Sequence, residues 1–163
     1  MSPSTDTWLI DTRQAFVAAL HAALDLALAH RARRMFWVDA DFADWPLDDA
    51  AALQRLGDWL RLPQRQLVLL AAQPEALRRR AHFMELYRLW SHAVAVFAPA
   101  ADDADQLPCL LLAEDTVWVQ VLDKQRWRGR SSRIPAELRT ARDNLDALLQ
   151  RSEPALPVTV LGL

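Results

Sequence analysis

A three-layer α/β sandwich around a mixed sheet is predicted by three features of the sequence. Short all-apolar runs at 35–38, 67–70 and 93–97 alternate with longer stretches of helical periodicity. Such runs suit strands buried on both faces, the condition of parallel strands lying between layers of helix. Beyond residue 107 the pattern changes to two apolar runs, Leu110-Leu111-Leu112 and 117–121, flanking Glu114-Asp115-Thr116. That reads as an antiparallel hairpin, which makes the sheet mixed. With 163 residues, 52% hydrophobic and 25% charged, the chain has the size and composition of one globular domain over 1–163.

The elements follow in order. Trp8-Leu9-Ile10 reads as a short opening strand. Asp11 or Thr12 offers a side-chain oxygen to cap a first helix, in which Phe16, Leu20, Leu24 and Leu28 recur at helical spacing. Arg31, Arg33 and Arg34 close that helix, since cations suit its carbonyl end. A strand at 35–38 is followed by a second helix after Pro46, with Leu53, Leu56 and Leu60 on one face and Pro63 as its stop. After the strand at 67–70, Pro74 suits the first turn of a third helix, because its missing N–H would be unpaired there anyway. Phe83, Leu86, Tyr87 and Trp90 share that helix's apolar stripe, and the strand at 93–97 succeeds it. Residues 100–106 read as an acidic loop and 126–133 as a basic one. Leu138, Ala141, Leu145, Leu148 and Leu149 mark a last helix, and Val158-Thr159-Val160-Leu161 a final edge strand.

Composition narrows the function classes. Nineteen basic against 21 acidic residues leave a net charge of −2, which argues against a general polyanion binder, so nucleic acid is not an expected partner. One cysteine, Cys109, allows neither an internal disulfide nor a cysteine zinc cage. The longest apolar run, 16–29, is broken by His21 and Asp25, and residues 1–6 lack the basic and apolar regions of a secretory signal. A cytoplasmic protein without a membrane segment is the expectation. His82 and His92 stand nearly three helical turns apart, too far to share a metal, and no cofactor is expected.

Three constellations could carry chemistry. Asp39-Ala40-Asp41 ends the first central strand, at the edge where open α/β sheets hold ligands. With Asp115 these carboxylates would make a Mg²⁺-dependent phosphoesterase; otherwise Asp39, Asp41 and Asp44 solvate a loop and help cap the second helix. The apolar strand leading into D-x-D resembles the first motif of haloacid-dehalogenase-type phosphatases. However, Leu70 runs into Ala71-Ala72-Gln73, without the Ser or Thr of that family's second motif. The basic segment Lys124, Arg126, Arg128, Arg130 and Arg133 is the sharpest charge feature. Its arginine forks suit phosphate or carboxylate, Trp127 could stack on a planar group, and Gly129 permits close backbone approach. The same arginines could instead pair with the chain's own acids. Trp45 and Trp127 fall in loops, where a large amphipathic ring anchors a contact or covers the end of the sheet. Cys109, beside an apolar strand, reads as a buried thiol, and His82 as a packed, hydrogen-bonded histidine.

Three βα units, an acidic loop, a hairpin and a helix resemble one half of the phospholipase D-type fold. Members of that family carry H-x-K-x(4)-D on the hairpin. With the aspartate placed at Asp115, Pro108 stands where the histidine belongs and Leu110 where the lysine belongs, so the nucleophile is missing. Asp44-Trp45-Pro46-Leu47, His82-Phe83, Trp90-Ser91-His92, Trp127-Arg128-Gly129 and Leu161-Gly162-Leu163 resemble an uncharacterised bacterial phospholipase D-like domain family. That family is often found C-terminal to a GNAT-type acetyltransferase domain.

The resemblance implies a non-catalytic binding or regulatory domain that recognises an anionic ligand or a protein partner, such as an acetyltransferase-type protein. It also implies a homodimer, because single-motif members pair their halves. The expected ligand-binding residues are Arg126, Trp127, Arg128, Arg130, His82 and Asp115. The rival readings are the Mg²⁺ phosphoesterase and a purely structural assembly partner.

Overall fold

Alternating apolar residues decide the layers. In the computed structural model, which describes residues 7–157, one eight-stranded mixed sheet separates two clusters of buried side chains. The strands are β1 (Thr7–Ile10), β2 (Arg34–Asp39), β3 (Gln66–Ala71), β4 (Val94–Ala98), β5 (Cys109–Ala113), β6 (Val117–Asp123), β7 (Arg128–Ser132) and β8 (Glu153–Pro154). Their order across the sheet is β1-β7-β6-β5-β2-β3-β4-β8. Strands β2, β3 and β4 run parallel, and every other pairing is antiparallel. The predicted three-layer α/β sandwich is the observed one.

Helices α1 (Arg13–Ala29), α2 (Ala50–Leu60) and α3 (Ala81–Leu89) cover one face; a short α4 (Ala101–Ala104) precedes β5, and α5 (Pro135–Gln150) covers the other face. Successive strand residues point to opposite faces. Met35, Trp37, Leu67 and Leu69 therefore pack against α1–α3, whereas Phe36, Val38, Leu70, Leu110 and Leu112 meet Leu138, Ala141 and Leu145 of α5. Among the described residues no helix is long and apolar enough to cross a membrane.

Local chemistry explains most element ends. Thr12 caps α1 by accepting from the Ala15 N–H at 2.9 Å, and Asp49 caps α2 by accepting from Ala52. Trp59, fully buried on α2, donates its indole N–H to the Ala32 carbonyl at 2.7 Å, tying α2 to the approach to β2. Pro74 does not open an α-helix. Residues Pro74–Arg79 form a 3₁₀ turn, Arg80 breaks the path, and α3 begins at Ala81.

The largest departure lies in the expected basic loop, most of which is strand β7. Arg128-Gly129-Arg130-Ser131-Ser132 has little apolar character, so hydrophobic periodicity does not reveal it. It forms because β6 on one side and β1 on the other pair its backbone. Gly129 is needed there, since a Cβ would lie 2.2 Å from the Gln120 carbonyl oxygen and 2.8 Å from the Val121 Cα. The close approach foreseen at Gly129 is thus to the neighbouring strand and not to a ligand. The acidic stretch likewise contains α4, and the edge strand expected at 158–161 lies outside the described residues.

Candidate functional site

The six residues expected to bind a ligand do not converge. Arg126 and Arg128 are exposed around the β6–β7 turn, but the side chains of their neighbours diverge. Trp127, held at φ 52°, turns toward α1 and packs on Phe16 with ring centroids 5.7 Å apart. Arg130 faces α5, where it donates both arms of its guanidinium to Glu137 at 2.9 and 3.2 Å and lies 4.9 Å over the Trp118 ring. His82 is exposed, in a groove between α2 and α3 lined also by Leu53, Gly57 and Leu86; it is not packed as expected.

Asp115 lies in the β5–β6 turn, at the opposite end of the sheet from Arg126. The antiparallel pairing of β5 with β2 sets Ala113 beside Met35 and Leu110 beside Val38, so the turn adjoins the beginning of β2. Pro108 and Leu110 share a cavity of about 390 Å³ under α5 with Trp118, Arg130 and Leu145.

The Asp39–Asp41 loop is a closed structural knot. Asp39 is 1% exposed; its Oδ1 meets Lys124 Nζ at 2.6 Å and its Oδ2 accepts from the Phe42 N–H at 3.1 Å. Burial pulls the Lys124 pKa down, but the hydrogen bond and charge of Asp39 outweigh it and leave the ammonium above its ordinary value. Asp41 accepts from Ala43, and Asp44 pairs with Arg13. Arg80 clamps the same loop, donating to the carbonyls of Phe42 and Trp45 at 2.9 and 2.6 Å and to Asp48 at 3.0 Å.

Trp45 is buried against Phe16, Trp37 and Phe42, so it anchors no exposed contact. With Asp115 at the other end of β2, the carboxylates of the phosphoesterase reading never meet. Among the described residues no group of three His, Cys, Asp or Glu could hold a metal ion. Cys109 is buried beside Asp39, and desolvation, with that charge, pushes its thiol up to about 12.

A different set of cations does converge. Arg31 and Arg33 lie between α1 and β2, and Arg65 ends the loop between α2 and β3. Because β2 and β3 are parallel, with Arg34 opposite Gln66 and the Gln66 N–H bonded to the Arg33 carbonyl at 3.1 Å, these two approaches run side by side. Arg31, Arg33 and Arg65 line one open cleft of about 380 Å³ with Pro63 and Gln64.

Arg65 is oriented by its Nη1 donating to the Pro63 carbonyl at 2.7 Å, while its Nε is buried and has no hydrogen-bond partner among the described residues. Burial and the charges of Arg31 and Arg33 hold its pKa below the usual guanidinium value. Arg31 and Gln64 both sit in left-handed backbone, at φ 53° and 60°, a conformation side chains usually avoid. Arg34 is exposed at the start of β2, and Arg133 reaches the same end by donating to Thr116 O and lying 3.1 Å from His30 Nε2.

Most of the chain's other arginines are spent on its own carboxylates: Arg13 on Asp44, Arg55 on Asp25, Arg61 on Asp58, Arg78 on Glu75, Arg142 on Glu114, Arg151 on Asp103. No carboxylate lies within 4 Å of Arg31, Arg33, Arg34 or Arg65 among the described residues. Asp115 is the exposed acid at this end. Sequence reasoning assigned the first three arginines to a helix terminus, yet α1 ends at Ala29 with no basic residue in its last turn. Their spacing carried the signal; the missing member, Arg65, is some thirty residues away.

No known protein family and no curated protein matches the sequence. Among solved structures the fold is similar to that of TrmBL2, an archaeal chromatin protein that shows a novel mode of DNA binding. The two superpose with a TM-score of 0.66 at 10% identity, over 95% of this chain and 56% of that one. This chain thus spans little more than half the length of TrmBL2, and at that identity the likeness is one of fold. Two expectations are corrected by this neighbour, the role of a binding module for an anionic ligand or protein partner and the exclusion of nucleic acid from the partners. The physical error lay in using net charge. A total of −2 averages over a surface on which acids neutralise many of the arginines and leave others, Arg31, Arg33, Arg34 and Arg65 among them, without a carboxylate partner among the described residues.

Proposed function

We propose that this chain is a nucleic-acid-binding domain that engages the phosphate backbone with the arginine end of its sheet. The observation that carries this reading is the group Arg31, Arg33, Arg34 and Arg65, gathered at the start of β2 and β3 without a carboxylate partner among the described residues. Guanidinium forks match phosphate oxygens in plane and spacing, and backbone contacts need no groove-reading helix. The likeness in fold to a DNA-binding chromatin protein supports the same direction. Such a role belongs in the cytoplasm, where nucleic acid is accessible.

Fluorescence anisotropy with a labelled duplex of about 20 base pairs tests it. Binding is expected to depend little on sequence and to weaken with salt, with a log–log slope of about −3 to −4 if four arginines each neutralise one phosphate. A flat signal at low salt up to about 100 μM protein would overturn the proposal.

A further inference from the structure

We infer that the cleft lined by Arg31, Arg33 and Arg65 is a built seat for one phosphate group of a nucleic acid strand, with Arg65 as its fixed guanidinium. This deepens the nucleic-acid reading and rests on it. The geometry separates this site from a general positive surface in three ways. Arg65 is held through one arm, Nη1, by the Pro63 carbonyl, so its guanidinium is oriented before any ligand arrives. Its Nε is buried without a hydrogen-bond partner among the described residues, so the guanidinium is left incompletely satisfied in the free protein. Arg31 and Arg33 line the same cleft from the neighbouring chain segment, so three positive side chains share one opening whose lining includes no carboxylate.

Such an arrangement stores repulsion in the free protein. The proton affinity of Arg65 is lowered first by burial and then by Arg31 and Arg33, and only this second contribution is that repulsion seen from the proton's side. A phosphate oxyanion among the three removes it. An occupied seat therefore stabilises the fold as well as holding the strand.

Two measurements on the full chain test the seat. In the first, thermal unfolding is followed with inorganic phosphate and with chloride at matched ionic strength, for the natural protein and for Arg65→Gln. In the second, duplex affinity is measured for both proteins, with Arg65→Lys as the conservative variant and Arg139→Gln, an exposed arginine on α5, as control. The expected result is a phosphate-specific rise in melting temperature that Arg65→Gln abolishes. A loss of about tenfold in duplex affinity should accompany it, only partly restored by Arg65→Lys because an ammonium lacks the fork. Arg139→Gln should change neither.

If Arg65→Gln fails to fold, the exposed Arg31→Gln and Arg33→Gln variants carry the same two readouts. Duplex binding that survives all three substitutions, without a phosphate-specific shift, overturns the seat and leaves the nucleic-acid reading standing. A phosphate shift lost in Arg65→Gln, with no duplex binding by the natural protein, supports the seat and overturns that wider reading. Equal affinity for duplexes with 5′-hydroxyl and 5′-phosphate ends assigns the seat to internal phosphodiesters; a preference for the phosphorylated end assigns it to strand termini.

Discussion

Lys124, the single lysine of the chain, sets its ammonium 2.6 Å from Asp39, a carboxylate almost wholly removed from water at the end of β2. This contact joins the β6–β7 turn to the centre of the parallel sheet and holds down the loop that resembles a catalytic motif. Its chemistry is structural. A carboxylate that already has an ammonium and a backbone N–H as partners has little left to offer a metal ion.

Removing the lysine strands that charge. Lys124→Met should cost about 2–4 kcal/mol of unfolding free energy, at or below the range for severing a buried pair, since about a third of the lysine side chain reaches water. The double variant Asp39→Asn, Lys124→Met should recover part of the loss. Urea denaturation of the three proteins measures both, and a neutral single variant would contradict the assignment.

Gly129 should tolerate no side chain. An added Cβ falls on the Gln120 carbonyl oxygen and the Val121 Cα, both backbone atoms that can move only if the strand pair opens. Gly129→Ala should destabilise by about 1–3 kcal/mol or more, as overpacking does elsewhere. Amide hydrogen exchange should show the loss concentrated in β6 and β7.

Glu137 gives the fold an acid-sensitive link. Hydrogen bonds from Arg130 and then from Ser132 hold its carboxyl below the usual carboxylate range. A depressed folded value means that the unfolded chain takes up the proton first. The stabilisation is therefore present above the ordinary pKa of about 4.3 and is lost as pH falls through the lower folded value. The difference in melting temperature between the natural protein and Glu137→Gln should shrink steadily below about pH 4.3; a difference constant from pH 7 to pH 3 would refute the link.

Cys109 should resist thiol reagents until the protein unfolds. With its thiol pushed up to about 12 and its side chain buried, the thiolate fraction at pH 8 is roughly 10⁻⁴. Labelling with a disulfide reagent should be slow in buffer and fast in denaturant. Rapid reaction of the folded chain would show the site to be open.

Arg126→Ala and Arg128→Ala should leave duplex affinity within about twofold, whereas Arg33→Ala should lower it by about tenfold and flatten its salt dependence. Both sets are exposed arginines, so the contrast isolates position from charge. Trp127→Ala should act on stability instead, by vacating the contact with Phe16. Anisotropy titrations and melting curves on the same preparations separate the two effects.

The sequence by itself determined the α/β class, the order of most elements and the burial of each central strand on both faces. It could do so because local periodicity encodes burial: Trp37 and Phe36 are neighbours in the chain and belong to opposite cores for the simple reason that a strand alternates. It could not reveal β7, whose residues become strand only because β6 and β1 flank them. Nor could it assemble a site. Arg126, Trp127, Arg128 and Arg130 are contiguous, yet turn and strand geometry sends them toward different surroundings. Arg33 and Arg65 are far apart in the chain, yet the parallel register of β2 and β3 brings their backbones together. Charge clustering is a property of distance in space. Only the tertiary structure, through strand pairing and the pairing of the other arginines with their acids, decided where positive charge is left over.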